Sequence, residues 1–284
     1  MTRQNNYEGN RPLLYLVATP IGNRQEWSPR AIEILKQMDY IACEDTRNSG
    51  TLFSSFDIKR PLISCHEHNE EEAGDKIVSL LLSGKKVAFV SDAGYPGISD
   101  PGERLVAKAV ANNIKVAVVN GPNAALCALV ASGLETKHFF FEGFLPSKPT
   151  AAKARLEELK NVAATLIFYE APHRIKRTLS LLNETLGGER KACLARELTK
   201  LHEEYIRATL AELDALDEET LKGEIVLVIE GAKAVETTIS DDDVEEALKE
   251  KLKTLRSKEA IAEVAKETGV PKNKVYDIYL ETLK

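Results

Sequence analysis

Two stretches of the sequence carry residue types suited to chemistry. The first is Ser91-Asp92-Ala93-Gly94-Tyr95-Pro96-Gly97-Ile98-Ser99-Asp100-Pro101-Gly102, which holds three glycines, two prolines, two aspartates and no basic residue. Glycine lets backbone approach a ligand closely, and proline stiffens the chain. A stiff acidic loop suits a polar or cationic small molecule better than a phosphate. The second stretch groups Glu170 with Arg196, Glu197, Lys200, His202, Glu203 and Glu204. Neighbouring lysine and glutamate shift each other's proton affinity, so this set could move a proton or meet a developing oxyanion. Read as plain scaffold, the loop is a turn before a helix and the cluster a solvated ion-pair set.

Other chemistries find less support. No P-loop occurs, and Thr19-Pro20-Ile21-Gly22-Asn23 stands where a dinucleotide fold would carry G-x-G-x-x-G. No serine or cysteine sits in a motif that marks a nucleophile. His66-Glu67-His68 would put two imidazoles on one face if the run were a strand, but no third ligand follows. No metal is therefore expected. Cys43, Cys65, Cys127 and Cys193 are widely spaced, without metal-ligand spacing, and read as buried reduced thiols.

The elements that must position these residues alternate in type. Strands are expected at Leu13–Ala18, Tyr40–Cys43, Pro61–Cys65, Val87–Val90 and Val116–Val119, with helices between and after them. Ser28-Pro29 is a helix start, with serine at the N-cap and proline at the first helical position. Such alternation builds a mostly parallel sheet, with ligand loops at the carboxyl ends of its strands. After Gly133 the strands crowd together, at Phe139–Phe141, Thr165–Tyr169, Lys191–Thr199, Tyr205–Thr209 and Glu224–Ile229, which suggests a mixed sheet. The expected domains are 1–133, 134–236 and 237–284. Residues 1–10 read as a disordered lead-in and Ala232–Ser240 as a linker, with Asp241-Asp242-Asp243 capping the helix beyond it. Ala265, Gly269, Val275 and Ile278 have helix-turn-helix spacing, and Lys249, Lys251, Lys253, Arg256 and Lys258 form a local basic stretch.

The chain has 284 residues, 43% of them hydrophobic, and a net charge of -6, enough for real cores and against generic polyanion binding. Met1–Asn10 is polar, and no apolar run approaches the ~20 residues that span a bilayer. A cytoplasmic protein that does not enter membranes is expected.

Several ordered motifs, over about residues 12–231, resemble the tetrapyrrole methylase superfamily and, within it, the ribosomal RNA small subunit methyltransferase I family. They are Ala18–Asn23, Glu44-Asp45-Thr46-Arg47, His66–Asn69, the loop 91–102, Ala131–Leu134, Gly143–Pro146, Tyr169–Arg174 and Arg196–Lys200. The C-terminal helices resemble that family's small appended domain. The resemblance implies two α/β domains of the tetrapyrrole methylase type with S-adenosylmethionine in the cleft between them, plus a small helical domain. It implies 2′-O-methylation of a cytidine ribose in the decoding region of small-subunit ribosomal RNA, as RNA or assembled subunit, by a homodimer. Phe139-Phe140-Phe141 beside Phe144 offers apolar surface for that association.

Carried onto this sequence, the cofactor contacts fall at Pro20, Asp92, Ala93, Gly94, Ile98, Pro122, Asn123, Ala124, Phe144, Tyr169, Glu170, Ala171, Ala195, Gly223 and Glu224. Glu197, Lys200 and Glu170, with Asp45 behind them, are the candidates for catalysis, and the residues do not decide among them. If Arg196–Lys200 continues a strand, Glu197 and Thr199 share one face and Lys200 the other. Three places depart from the family's usual pattern: Asn120 stands where proline is usual, Tyr95, where threonine is usual, narrows the cleft, and Ser147–Lys153 after Phe144-Leu145-Pro146 is less basic than usual. Two other readings share these features, a methylase of a small corrin-type tetrapyrrole and a non-catalytic ribosome-binding protein.

Overall fold

The computed structural model describes residues 3–6, 13–233 and 240–282. They form two compact units that divide between Ala232 and Lys233. In the first unit the chain runs β1 (Leu13–Val17), α1 (Pro29–Lys36), β2 (Tyr40–Cys43), α2 (Thr46–Ser54), β3 (Leu62–Ser64), α3 (Glu70–Leu82), β4 (Val87–Val90), α4 (Glu103–Ala111), β5 (Lys115–Val119) and α5 (Ala124–Ser132). These strands make one all-parallel sheet in the order β3-β2-β4-β1-β5. The buried strands are near-continuous apolar runs because helices cover both faces. Ser28 caps α1 by accepting from the Ala31 N–H, as its position before Pro29 predicts.

The chain continues through β6 (Phe139–Phe144), α6 (Pro149–Leu159), β7 (Thr165–Glu170), α7 (Ile175–Leu186), β8 (Lys191–Arg196), β9 (Glu204–Thr209), α8 (Leu210–Asp214) and β10 (Ile225–Ile229). The second sheet is mixed, in the order β6-β7-β10-β8-β9, with only β6 and β7 parallel. Helix α5 packs Ala125, Ala128 and Leu129 against Ile167, Cys193 and Val226 of this second sheet. Ile21, from the loop after β1, joins the same apolar layer.

Four local expectations change. The strand expected over Lys191–Thr199 ends at Arg196, because Glu197 (φ 51°) and Thr199 (φ 66°) take left-handed backbone angles that no strand allows. His66–His68 is a turn ahead of α3, not a strand, with the two rings 6.0 Å apart and edge-on. Helix α2 follows a motif that suggested no element, and Asp45 is its N-cap. Within the expected lead-in, Gln4 is tied to the edge of β5 through both the N–H and the C=O of Val116. The rest of that segment, and most of the expected linker, lie outside the described residues.

The second unit holds α9 (Asp241–Lys251), α10 (Ser257–Thr268) and α11 (Lys272–Thr282) around Val244, Leu248, Ile261, Val264, Val275 and Ile278. Ser240, not the aspartates, caps α9, in a reciprocal box with Asp243. Gly269 ends α10 in the left-handed conformation.

Candidate functional site

The loops leaving β4, β1 and β5, three adjacent strands, open on one side of the first sheet. The ends of β6 and β7, the start of β10 and the turn after β8 face them. Between them lies a cavity of about 290 Å³. From the first half it is walled by Ile21, by Ala93, Gly94, Tyr95, Ile98, Ser99 and Asp100, and by Asn123 and Ala124. From the second come Phe144, the Tyr169–Pro172 segment, Leu198, and Glu224 with Ile225 and Val226. Tyr169 stands edge-on to both Phe141 and Phe144, 5.0 and 5.7 Å between ring centres, which gives this side an aromatic wall.

The loop after β1 is locked to the loop after β4. Thr19 and Gly94 exchange both backbone hydrogen bonds, and Thr19 also donates its hydroxyl to the Ser91 carbonyl. Trp27 donates its indole N–H to the Ala18 carbonyl from beneath. These contacts leave the cavity wall little freedom to move.

The electrostatics are one-sided. Asp100, Glu170 and Glu224 line the cavity, and among the described residues no lysine, arginine or histidine does. Glu170 is 2% exposed, and its carboxylate is already satisfied. It accepts from Thr178 Oγ1 at 2.6 Å and from the Ala171 N–H at 2.8 Å, and it pairs with Arg174 at 3.3 Å. Asp100 is different. Burial, followed by the charges of Glu44 and Asp92, pushes its carboxyl up to about 7. Among the described residues it has no hydrogen-bond or ion-pair partner. Asp92 sits behind it, accepting from the Asn48 side chain at 3.0 Å.

At the rim, the turn after β8 holds a second set of charges. Lys200 Nζ donates to Glu197 Oε1 at 2.9 Å and to Glu224 Oε2 at 2.8 Å, and Glu197 Oε1 also accepts from the Glu224 N–H at 3.0 Å. The Lys200 hydrogen bond holds the Glu197 carboxyl below the usual range, against partial burial and with help from the Glu224 amide. The Lys200 ammonium is raised: burial works against its charge, and the bonds to Glu224 and Glu197 outweigh that. Glu197 and Lys200 therefore face each other across a turn instead of pointing to opposite faces of a strand. Asn23 donates its N–H to Thr199 Oγ1 at 3.0 Å, so the turn rests on the loop after β1.

Of the residues singled out in the sequence, Ala93, Gly94, Ile98, Asn123, Ala124, Phe144, Tyr169, Glu170, Ala171 and Glu224 line the cavity. Pro20, Asp92, Pro122, Ala195 and Gly223 are not among its lining residues. Asp45 caps α2 through the Arg47 N–H and pairs with the Arg47 side chain, away from the cavity. The sequence reading had not marked Asp100, Ile21, Ser99, Leu198, Ile225 or Val226. Asp100 sits eight positions after Asp92 in a loop already under suspicion, and that loop was the available signal.

An acidic cleft on these two sheets defines a class of protein. The family of Tetrapyrrole (Corrin/Porphyrin) Methylases matches residues 13–214, and the RsmI C-terminal HTH domain matches residues 238–284. The fold is shared with the methyltransferase CobJ, at TM-score 0.59 and 18% identity over 78% of this chain and 95% of that one. It is also shared with uroporphyrin-III-C-methyltransferase from Thermus thermophilus, at TM-score 0.56 and 21% identity over 78% and 94%.

Full-length relatives are much more similar. Ribosomal RNA small subunit methyltransferase I of Halalkalibacterium halodurans is 45% identical over 98% of this chain and 99% of its own. That of Bacillus subtilis is 44% identical over 98% of each. That of Pseudomonas aeruginosa is 45% identical over 94% of this chain and 96% of its own. The chain belongs to the ribosomal RNA small subunit methyltransferase I family.

Proposed function

We propose that the protein transfers a methyl group from S-adenosylmethionine to the 2′-hydroxyl of a cytidine ribose in the decoding region of small-subunit ribosomal RNA. The observation that carries the cofactor reading is the cavity itself: three carboxylates and, among the described residues, no basic side chain in its wall and no partner for Asp100. Glu170 and Glu224 are paired with Arg174 and Lys200, so Asp100 is the group left to meet a ligand, and it fits a cationic ligand with an amino group better than a phosphate. When bound, S-adenosylmethionine supplies an electrophilic methyl on a positively charged sulfur. Asp100 would hold the positive end of the ligand, Phe144 and Tyr169 its apolar ring, and the backbone of Gly94, Asn123 and Ala171 its polar edges.

The chain's other residues orient the acceptor. In-line displacement rewards alignment, which the locked loops after β1 and β4 provide. The Glu197–Lys200–Glu224 network offers an ammonium at the rim, suited to the ribose phosphate or to the oxygen as its proton leaves. Glu197 serves to place that ammonium. Glu170, whose carboxylate is spoken for by Thr178, Ala171 and Arg174, is wall and not base.

The ribosomal RNA substrate is supported over a small tetrapyrrole by the 44–45% identity to relatives of that name and by the matching helical unit. Among the described residues no helix is long and apolar enough to cross a membrane. Action in the cytoplasm, where the small subunit is assembled, follows from the substrate. The working species in this reading is a homodimer. Helix α5 is apolar all round, yet it leaves Leu126 and Val130 (72% exposed) in solvent, and Val118 of the edge strand β5 is exposed as well. Such a patch fits two-fold association, and a monomer mass by light scattering at micromolar concentration would contradict it.

The test is transfer from labelled methyl donor to small subunits that lack the modification, followed by digestion to nucleosides. Label in 2′-O-methylcytidine supports the proposal. Label in a base, or only in a corrin precursor offered in parallel, refutes it.

A further inference from the structure

Three lysines of the basic stretch in the C-terminal unit are already paired. Lys249 pairs with Glu245, Lys253 with Glu250, and Lys251 with both Glu263 (3.2 Å) and Glu267 (2.6 Å). Lys274, further on, pairs with Asp241 at 2.7 Å. Lys258 and Lys272 are the contrast. Among the described residues neither has an ion-pair or hydrogen-bond partner, and both line one groove of about 460 Å³ between α10 and α11.

The groove is built as more than a gap. Ile261 forms its apolar floor. Tyr279 and Ser257 share a hydrogen bond at 2.9 Å that ties α11 to the start of α10. Tyr276, one helical turn beyond Lys272, lines the same groove with its ring 48% exposed. Lys258 and Lys272 each lie in the first turn of a helix, where a cation opposes the positive end of the helix dipole. Local helix electrostatics do not account for two cations there, whereas an anionic ligand does.

From this arrangement we propose that the groove between α10 and α11 binds single-stranded RNA, with Lys258 and Lys272 on successive backbone phosphates and a base stacked on Tyr276. The inference rests on the RNA substrate proposed above and locates where the helical unit holds it. Charge complementarity selects the occupant, since these two cations are left without a partner among the described residues on one concave face, in a protein whose other charges are net acidic. An exposed ring sharing a groove with two unpaired cations is an arrangement that binds unpaired strands without reading their sequence. The paired lysines of α9 contribute nothing to it.

The experiment uses the full chain and compares four variants with the wild type for binding a labelled single-stranded RNA across a salt series. Removing two phosphate contacts should lower the salt slope of binding by about 1.4, because each contact to a single strand contributes about 0.7. Lys258→Gln/Lys272→Gln should show that loss. Tyr276→Ala should weaken binding by about tenfold at fixed salt while Tyr276→Phe retains it. Lys249→Gln/Lys253→Gln, which removes only paired cations, should bind within about twofold of wild type.

All the substituted side chains are exposed, and a melting curve on each variant confirms the fold. An unchanged slope in the Lys258/Lys272 pair, or an equal loss in the Lys249/Lys253 pair, overturns the assignment. So does a loss confined to assembled subunits with naked RNA unaffected, which would put a ribosomal protein in the groove. If the wild type neither binds nor methylates any RNA, the substrate proposal fails first and this inference falls with it. Intact methyl transfer with an unchanged slope overturns the groove alone.

Discussion

The Tyr95 hydroxyl hydrogen-bonds to the Asn120 side chain and accepts the Gly121 N–H at 3.1 Å. These contacts join the loop after β4 to the loop after β5 across the mouth of β1. Tyr95 and Asn120 each supply the other's partner. The bond fixes the Tyr95 ring as one wall of the cavity.

Removing that tie should loosen the wall without unfolding it. A net hydrogen bond is worth about 0.5–1.5 kcal/mol, so Tyr95→Phe should weaken S-adenosylmethionine binding by about two- to tenfold. Asn120→Ala should do the same, and the double variant should lose little more than either alone. Calorimetry on the four proteins measures this. Fully additive losses would mean that the two residues act separately.

Asp100 sets a pH dependence. Its carboxyl titrates near 7 in the folded protein, above the ordinary range, because burial and then Glu44 and Asp92 disfavour its charge. A cation needs the ionised form, so S-adenosylmethionine affinity should rise as pH climbs toward about 7 and level off above it. The stability consequence has the opposite sign. Between the ordinary carboxylate range and about 7 the folded state binds more protons than the unfolded one, so the empty protein loses stability as pH rises through that window. Asp100→Asn should therefore abolish the pH step in binding and raise the empty protein's melting temperature at pH 8. A lower melting temperature would contradict the assignment.

The Glu197–Lys200 pair should matter to turnover more than to cofactor binding. Neither side chain lines the cavity, and both stand at its rim. Lys200→Ala and Glu197→Gln should each cut methyl transfer by about tenfold or more, with cofactor affinity within about threefold. Gly223→Ala should match them, because Gly223 has a φ of 92° and a Cβ there would overlap the Glu197 carboxylate. Single-turnover rates, calorimetry and melting curves on the same proteins separate the possibilities. Losses in all three at once would make the pair scaffold.

The parts of the fold that were legible are those whose signal is local. Val87–Val90, bounded by Lys86 and the Gly/Pro loop, reads as a buried strand, and Ser28-Pro29 reads as a helix start. The turn at Glu197–Lys200 was not legible. Arg-Glu-Leu-Thr-Lys holds no glycine, yet two of its residues take left-handed angles, held there by Asn23, Glu203 and Glu224 from other parts of the chain. Asp100 looked like any turn aspartate, because its burial and its acidic neighbours exist only once β2 and β4 lie side by side. The lysines of α9 looked free because their glutamates sit on the next turn or on α10.

Ribose methylation mapped along small-subunit RNA from cells lacking this protein, complemented with the wild type or with Asp100→Asn, joins the cavity to the reaction most directly. The expected result is one unmethylated cytidine in the decoding region of the deleted strain, restored by the wild type and not by Asp100→Asn at equal protein level. Full methylation without the protein, or restoration by Asp100→Asn, would contradict it.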